Sequence, residues 1–265
     1  MIRSVYGKTL YEKRMFILGW TIGLAAIAGL LTAFYPAMHQ DGSIDALVKS
    51  MPPAFQGLVG SLSDLTHFDT YIASQVFDIR LPLIAGIMAI ILGLGLSVSD
   101  EEKGELRTLL SLPISRTSLL AQRWLAMVTI LAITLMGLVA GLYATMPFID
   151  GATVDADIMV RLLAVTGLMM VTFGTIPFAV GMATGRRAVA SLVGITAIIG
   201  SFLLSTFASA VDWLKDYEPL SLLHYFPAVD IVKNGIDSAD VFVLGGITVL
   251  LLIMAFVLFR RRDVA

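Results

Sequence analysis

Between Met15 and Tyr35 the chain runs for 21 residues without a charged side chain. Four more uncharged apolar runs follow, and a further one carries Arg161 near its start. A helix of about 20 apolar residues crosses the hydrocarbon core of a bilayer. In lipid the backbone must satisfy its own hydrogen bonds, so runs of this kind are helical. The pattern predicts an all-α integral membrane protein with six spans, at about 15–35, 81–98, 124–148, 159–183, 188–211 and 241–259. They form a single transmembrane domain over residues 1–265. Only 14% of residues are charged, against roughly 25% in soluble domains. A secretory signal has an apolar core of about 7–15 residues and a small-residue cleavage site. The first run is longer and ends in Phe34-Tyr35-Pro36, which reads as an uncleaved span.

Basic residues orient the bundle. Of 18 lysines and arginines, 13 fall in residues 1–14, 99–123, 186–187 and 260–262. The other five are Lys49, Arg80, Arg161, Lys215 and Lys233. The positive-inside rule puts the larger group in the cytoplasm, and with it both termini. The setting expected is the plasma or inner cell membrane.

The connections divide into two kinds. Residues 149–158 and 185–187 are short turns, and Trp124 and Tyr143 suit the two membrane interfaces. Pro177 is expected to kink the fourth span. Other segments are too apolar for free loops. Before the first span, Ile2, Val5, Tyr6 and Leu10 share a helical face opposite Arg3, Gly7, Lys8 and Arg14. That suits either an interfacial helix or a frayed basic tail. In the outer segment 36–80, pieces at 44–51 and 54–62 read as short helices, and 67–80 reads as a helix entering the second span. Residues 212–240 carry Trp213, Leu214, Leu222, Leu223, Tyr225 and Phe226, broken by Pro219 and Pro227. A re-entrant or interfacial helical hairpin is expected there.

The long polar connector on the cytoplasmic side, residues 99–123, reads as two helices broken at Pro113. Ser99 and Glu102 have capping-box spacing, with Asp100, Glu101 and Glu102 in the first turn, where the helix dipole favours acids. Ser115 or Thr117 caps the second helix, which runs through Leu119 and Leu120 towards Arg123. A charged connector alone is a solvated hairpin. Leu106, Leu109 and Leu110, however, share one face, and such a face packs against the membrane surface, the bundle or another subunit.

Glu101-Glu102, Gly104, Leu106, Leu109-Leu110-Ser111, Pro113 and Ser115-Arg116 together resemble the signature that follows the second span in permease subunits of type-2 ABC exporters. Glu105, Arg107 and Arg123 depart from the residues common there. The resemblance implies that this segment is a coupling elbow meeting a separate ATPase subunit. Its contact residues would be Glu101, Glu102, Gly104, Leu106, Arg107, Leu109, Leu110, Pro113, Ser115 and Arg116. It also favours an N-terminal interfacial helix and an outer element before the last span. It implies a second permease copy or a paralogue as partner, with ATP and magnesium bound by the ATPase.

The remaining chemistry is sparse. No G-x-x-x-x-G-K-[ST] loop is present, so any ATP binds elsewhere. Gly93-Leu94-Gly95 lacks a third glycine and lies inside a span. Absence of cysteine excludes a thiolate nucleophile and cysteine metal sites. His39, His67 and His224 all fall in outer loops, and Asp64, His67 and Asp69 lack the convergent spacing of a zinc site. The spans carry none of the acidic residues, lysines or histidines that proton relays use. Gly19-x-x-x-Gly23, Gly137-x-x-x-Gly141 and Gly181-x-x-x-Gly185 permit close helix contacts. The function expected is an export permease moving substrate by alternating access, with no enzyme activity of its own. The competing expectation is a non-transporting anchor or regulator that binds a cytoplasmic partner through residues 99–123.

Overall fold

The computed structural model describes residues 4–36, 68–78, 80–102, 104, 114–208 and 211–262. Among the described residues there is no strand. A short helix, α1 (Val5–Glu12), precedes α2 (Arg14–Ala33). Next come α3 (Phe68–Ile72), a π-helical turn (Ala73–Asp78), α4 (Arg80–Ser97) and α5 (Ser99–Glu102). Three long helices follow: α6 (Arg116–Thr145), α7 (Ala156–Thr184) and α8 (Arg187–Phe207). The connection to α11 (Ser238–Arg261) holds α9 (Asp212–Lys215), two 3-10 turns (Glu218–Leu220 and Leu222–Tyr225) and α10 (Ala228–Asn234). Among the described residues, six stretches are long and apolar enough to cross a membrane. The protein is therefore a multi-span helical membrane protein.

α4 and α7 form the centre, where their apolar side chains are mostly buried; α2, α8 and α11 lie outside and bury much less. Bare backbone makes the central contacts possible. A Cβ on Gly93 of α4 would run into the carbonyl oxygen of Gly174 on α7. On α6, a Cβ at Gly137 would lie 2.6 Å from the Thr21 carbonyl oxygen of α2, and one at Gly141 would collide with Ala25. The glycine pair on α6 is thus a real helix interface. Gly19 and Gly23 have the same spacing but meet nothing within 4 Å. Such small-residue seams let dispersion act between backbones where lipid offers no hydrophobic drive.

Polar groups tie the same helices. Thr172 of α7 and Thr248 of α11 share a buried hydroxyl hydrogen bond of 2.8 Å. The Trp124 indole of α6 donates to Thr175 Oγ1 of α7 at 3.0 Å. Pro177 sits inside α7, which continues through it to Thr184.

At the end of the bundle away from residues 99–123, Tyr71 donates its hydroxyl to the Leu31 carbonyl at 2.7 Å. Its ring joins those of Tyr35 and Phe68. The pieces expected at 44–51 and 54–62, and the residues Asp64 and His67, lie outside the described residues. The 211–237 connection folds back on α8: Ser221 donates to the Ser201 carbonyl at 2.8 Å, and Ser201 Oγ accepts from the Leu222 amide at 3.1 Å. Leu222, Phe226, Ala228 and Ile231 are buried, whereas Trp213 and Leu220 are exposed. Over the segment where a re-entrant or interfacial helical hairpin is expected, the chain forms short helical pieces, with Pro219 inside one 3-10 turn and Pro227 at the start of α10.

Candidate functional site

The elbow leaves the bundle as a continuation of α4. The Val98 amide bonds to the Leu94 carbonyl at 3.2 Å, and the Glu102 amide bonds to the Val98 carbonyl at 3.1 Å. Ser99 therefore lies within helical structure and does not cap a new helix. The capping-box spacing is present, but the Glu102 amide it would serve already finds the Val98 carbonyl. α5 ends in a turn at Gly104, whose φ of +71° is the left-handed conformation glycine adopts without strain. Leu106, Arg107, Leu109, Leu110 and Pro113 lie outside the described residues. On the return, Ser115 caps α6: its Oγ accepts from the Ser118 amide at 3.1 Å and lies 3.1 Å from Thr117 Oγ1. The helix then runs unbroken from Arg116 through Leu119 and Leu120, both buried, to the far end.

Among the described residues, three ties hold the elbow to the bundle. Glu102 accepts from Arg187, at the start of α8, at 2.9 Å across an exposed gap. Glu101 pairs with Arg262, just past α11, and here the side chains are only 22% and 17% exposed. Arg116 donates to the Phe259 carbonyl at 3.3 Å and to the Arg262 carbonyl. Arg262 also donates to the Met182 carbonyl of α7 at 3.3 Å. Four parts of the chain (α5, the start of α6, the α7–α8 turn and the end of α11) thus converge on two acidic residues and their arginines.

Local geometry makes this convergence possible. Gly185 closes α7 with a left-handed C-cap at φ +65°, its amide bonding to the Gly181 carbonyl at 2.8 Å. A Cβ at Gly185 would overlap the Arg262 guanidinium, so the same glycine ends the helix and leaves room for the arginine. Gly181 opens the space that Ser97 fills at the end of α4. Beneath the elbow Arg123 is 4% exposed and donates to the Leu96 carbonyl at 3.2 Å, joining α6 to the last turn of α4. α1 seals one side. Ser4 accepts from the Gly7 amide, and Tyr6 binds α6 through its amide to Gln122 (3.1 Å) and its hydroxyl to Thr129 (3.0 Å). A notch of about 360 Å³ opens beside the ties, lined by Ser115, Arg116, Thr117 and Arg260.

The structure therefore brings together Glu101, Glu102, Ser115 and Arg116 from the sequence-derived site, with Gly104 at the turn. It adds Arg187, Gly185, Arg262 and Arg123. The first three stand in the basic turn and basic tail, where the sequence showed only orientation; their partners are too distant in the chain for spacing to reveal. Arg123 was visible as one of the basic residues that set the orientation and as a departure from the residue common in the resembling signature.

No curated protein matches the chain. A family model described as ABC-2 family transporter protein matches residues 4–264. With six membrane-length helices and that match over nearly its whole length, the protein belongs to the ABC-2 transporter permease family, whose members are the membrane subunits of ABC transporters and work with an ABC ATPase.

Proposed function

We propose that this permease works in an exporter, with residues 99–123 as the element its ATPase partner moves. The observation that carries the reading is the joining of elbow, α7–α8 turn and α11 end through Glu101, Glu102 and Arg116. A displacement of the elbow reaches three spans at once through these ties. In this reading two permease copies, or one copy and a paralogue, pair in the cell membrane with both termini cytoplasmic. ATP and magnesium bind in the ATPase, and closure of the ATPase pair carries the elbow. The bundle then alternates between inward-open and outward-open states. The leucine face at 106, 109 and 110 seats in the ATPase, and Glu102, Arg107 and Arg116 orient the contact. The apolar spans suit a cargo with apolar surface.

An ATPase can shift the bundle only if its contact differs in free energy between the two states. Co-purification of tagged chain from native membranes, followed by an ATP hydrolysis assay, tests this. The expected result is a stoichiometric P-loop subunit whose hydrolysis is uncoupled by Glu102→Lys combined with Leu109→Asp. A chain that purifies without an ATPase, or a double variant that hydrolyses ATP as the parent does, would overturn the reading in favour of a non-transporting anchor.

A further inference from the structure

We infer that Arg262 is the positioning residue through which the elbow moves the last span. The inference rests on the coupling role proposed for residues 99–123. One residue joins four segments: its guanidinium holds Glu101 of α5 and the Met182 carbonyl of α7, and its own carbonyl receives Arg116 of α6. The next two arginines back along the chain, Arg260 and Arg261, are exposed. Gly185 supplies the room, since any side chain there would displace the guanidinium.

Burial separates this tie from its neighbour. The Glu102–Arg187 pair has side chains 43% and 54% exposed, and pairs of that kind hold little against solvent and salt. The Glu101 and Arg262 side chains are less exposed, at 22% and 17%, so solvent and salt weaken their pairing less. The elbow and Arg262 therefore travel together rather than separate.

The helix at the other side of the tie is suited to respond. α11 buries the smallest share of its apolar window of the six spans. Its contacts with the bundle run mainly to α7, where Thr248 bonds Thr172. A pull at Arg262 is therefore opposed chiefly by that interface, not by the whole core.

Because the chain has no cysteine, a single Phe242→Cys at the far end of α11, where Phe242 is exposed, reports on this helix. The measurement is the rate at which a polar maleimide labels that thiol in the purified permease–ATPase complex. It is taken without nucleotide and after trapping with ATP, magnesium and vanadate. The parent is expected to show a nucleotide-dependent change in rate. Arg262→Ala and the near-isosteric Glu101→Gln should shrink that change by about 5-fold or more, the lower end of typical coupling between sites. The exchange Glu101→Arg with Arg262→Glu should restore the part of the change that the ion pair carries, without the bond to the Met182 carbonyl, which a carboxylate cannot make; Arg261→Ala should leave the change intact. A merely structural role would lower stability without this pattern of loss and rescue. If Arg262→Ala does not fold, Glu101→Gln carries the test. A parent that responds to nucleotide together with a Glu101→Gln variant that responds equally would overturn this inference and leave the coupling proposal standing. A parent that brings no ATPase, or shows no nucleotide response, would overturn both.

Discussion

The middle of the bundle and its elbow end are held by opposite means. In the middle, Gly93, Gly137 and Gly141 let helix backbones touch, and the contacts are steric. At the elbow end, Glu101, Glu102, Arg116, Arg123, Arg187 and Arg262 reach across gaps between segments. Steric seams fit one arrangement and fail abruptly outside it, because packed interiors do not deform continuously. Ion pairs and arginine–carbonyl bonds tolerate displacement, and exposed ones can exchange partners, which suits the movement proposed for this region. The lesson is that rigidity and mobility are assigned here by contact chemistry, along the length of the same helices.

The sharpest way to break the comparison is to fill a seam. Gly141→Leu would drive a side chain into Ala25 of α2, where backbone blocks it and no flexible side chain can yield. Overpacking of this kind typically costs about 1–3 kcal/mol and more where the backbone must part. The expected outcome is loss of a monodisperse species by size-exclusion chromatography, or a fall in unfolding free energy of at least about 3 kcal/mol. A variant of unchanged stability would show that the α2–α6 seam is not where the fold is fixed.

Arg123 tests the other side with the next largest effect. It is an elbow-end group, yet it is as buried as the seam residues. Arg123→Met keeps much of the volume and removes the donor to the Leu96 carbonyl. Hydrogen bonds from charged groups contribute about 1.5–3 kcal/mol. A loss in that range, by denaturant titration in detergent micelles, would place Arg123 with the fixed core rather than the movable ties.

How much of this was legible in the sequence follows the same division. Hydropathy exposes the spans because lipid makes the same demand on each of them, one run at a time. Ser115 as a cap was visible because capping is a matter of three residues. Ser99 shows the limit of such local signals, since the Val98 carbonyl already serves the Glu102 amide it would have capped. The Glu101–Arg262 pair spans 161 positions, so no spacing rule reaches it. The basic tail spelled out orientation but could not say which of Arg260, Arg261 and Arg262 turns inward. That choice is made by Gly185, whose missing side chain matters only once α7 and α11 are side by side.

Glu102→Gln probes the weakest tie. Its partner Arg187 is half exposed, and exposed pairs contribute about 0.2–1 kcal/mol. The unfolding midpoint should shift by no more than that, and the difference from the parent should vanish in high salt. A larger, salt-independent loss would mean that the exposed pair belongs to the rigid part of the molecule.

The smallest effect is expected where a seam motif has no seam. Gly19 and Gly23 repeat the spacing of Gly137 and Gly141, but a Cβ at either meets nothing within 4 Å. Gly23→Ala should therefore leave the stability of the single chain within about 0.5 kcal/mol of the parent, as for substitutions away from packed features. The contrast with Gly141→Leu needs a matched pair, so Gly141→Ala belongs in the same experiment. There the added Cβ alone collides with Ala25. If both alanine variants unfold like the parent, steric seams do not define the middle of the bundle. If only Gly141→Ala is destabilised, one motif does two different things on two helices. What decides between them is whether a neighbouring backbone lies against it, which is the physical content that a spacing rule lacks.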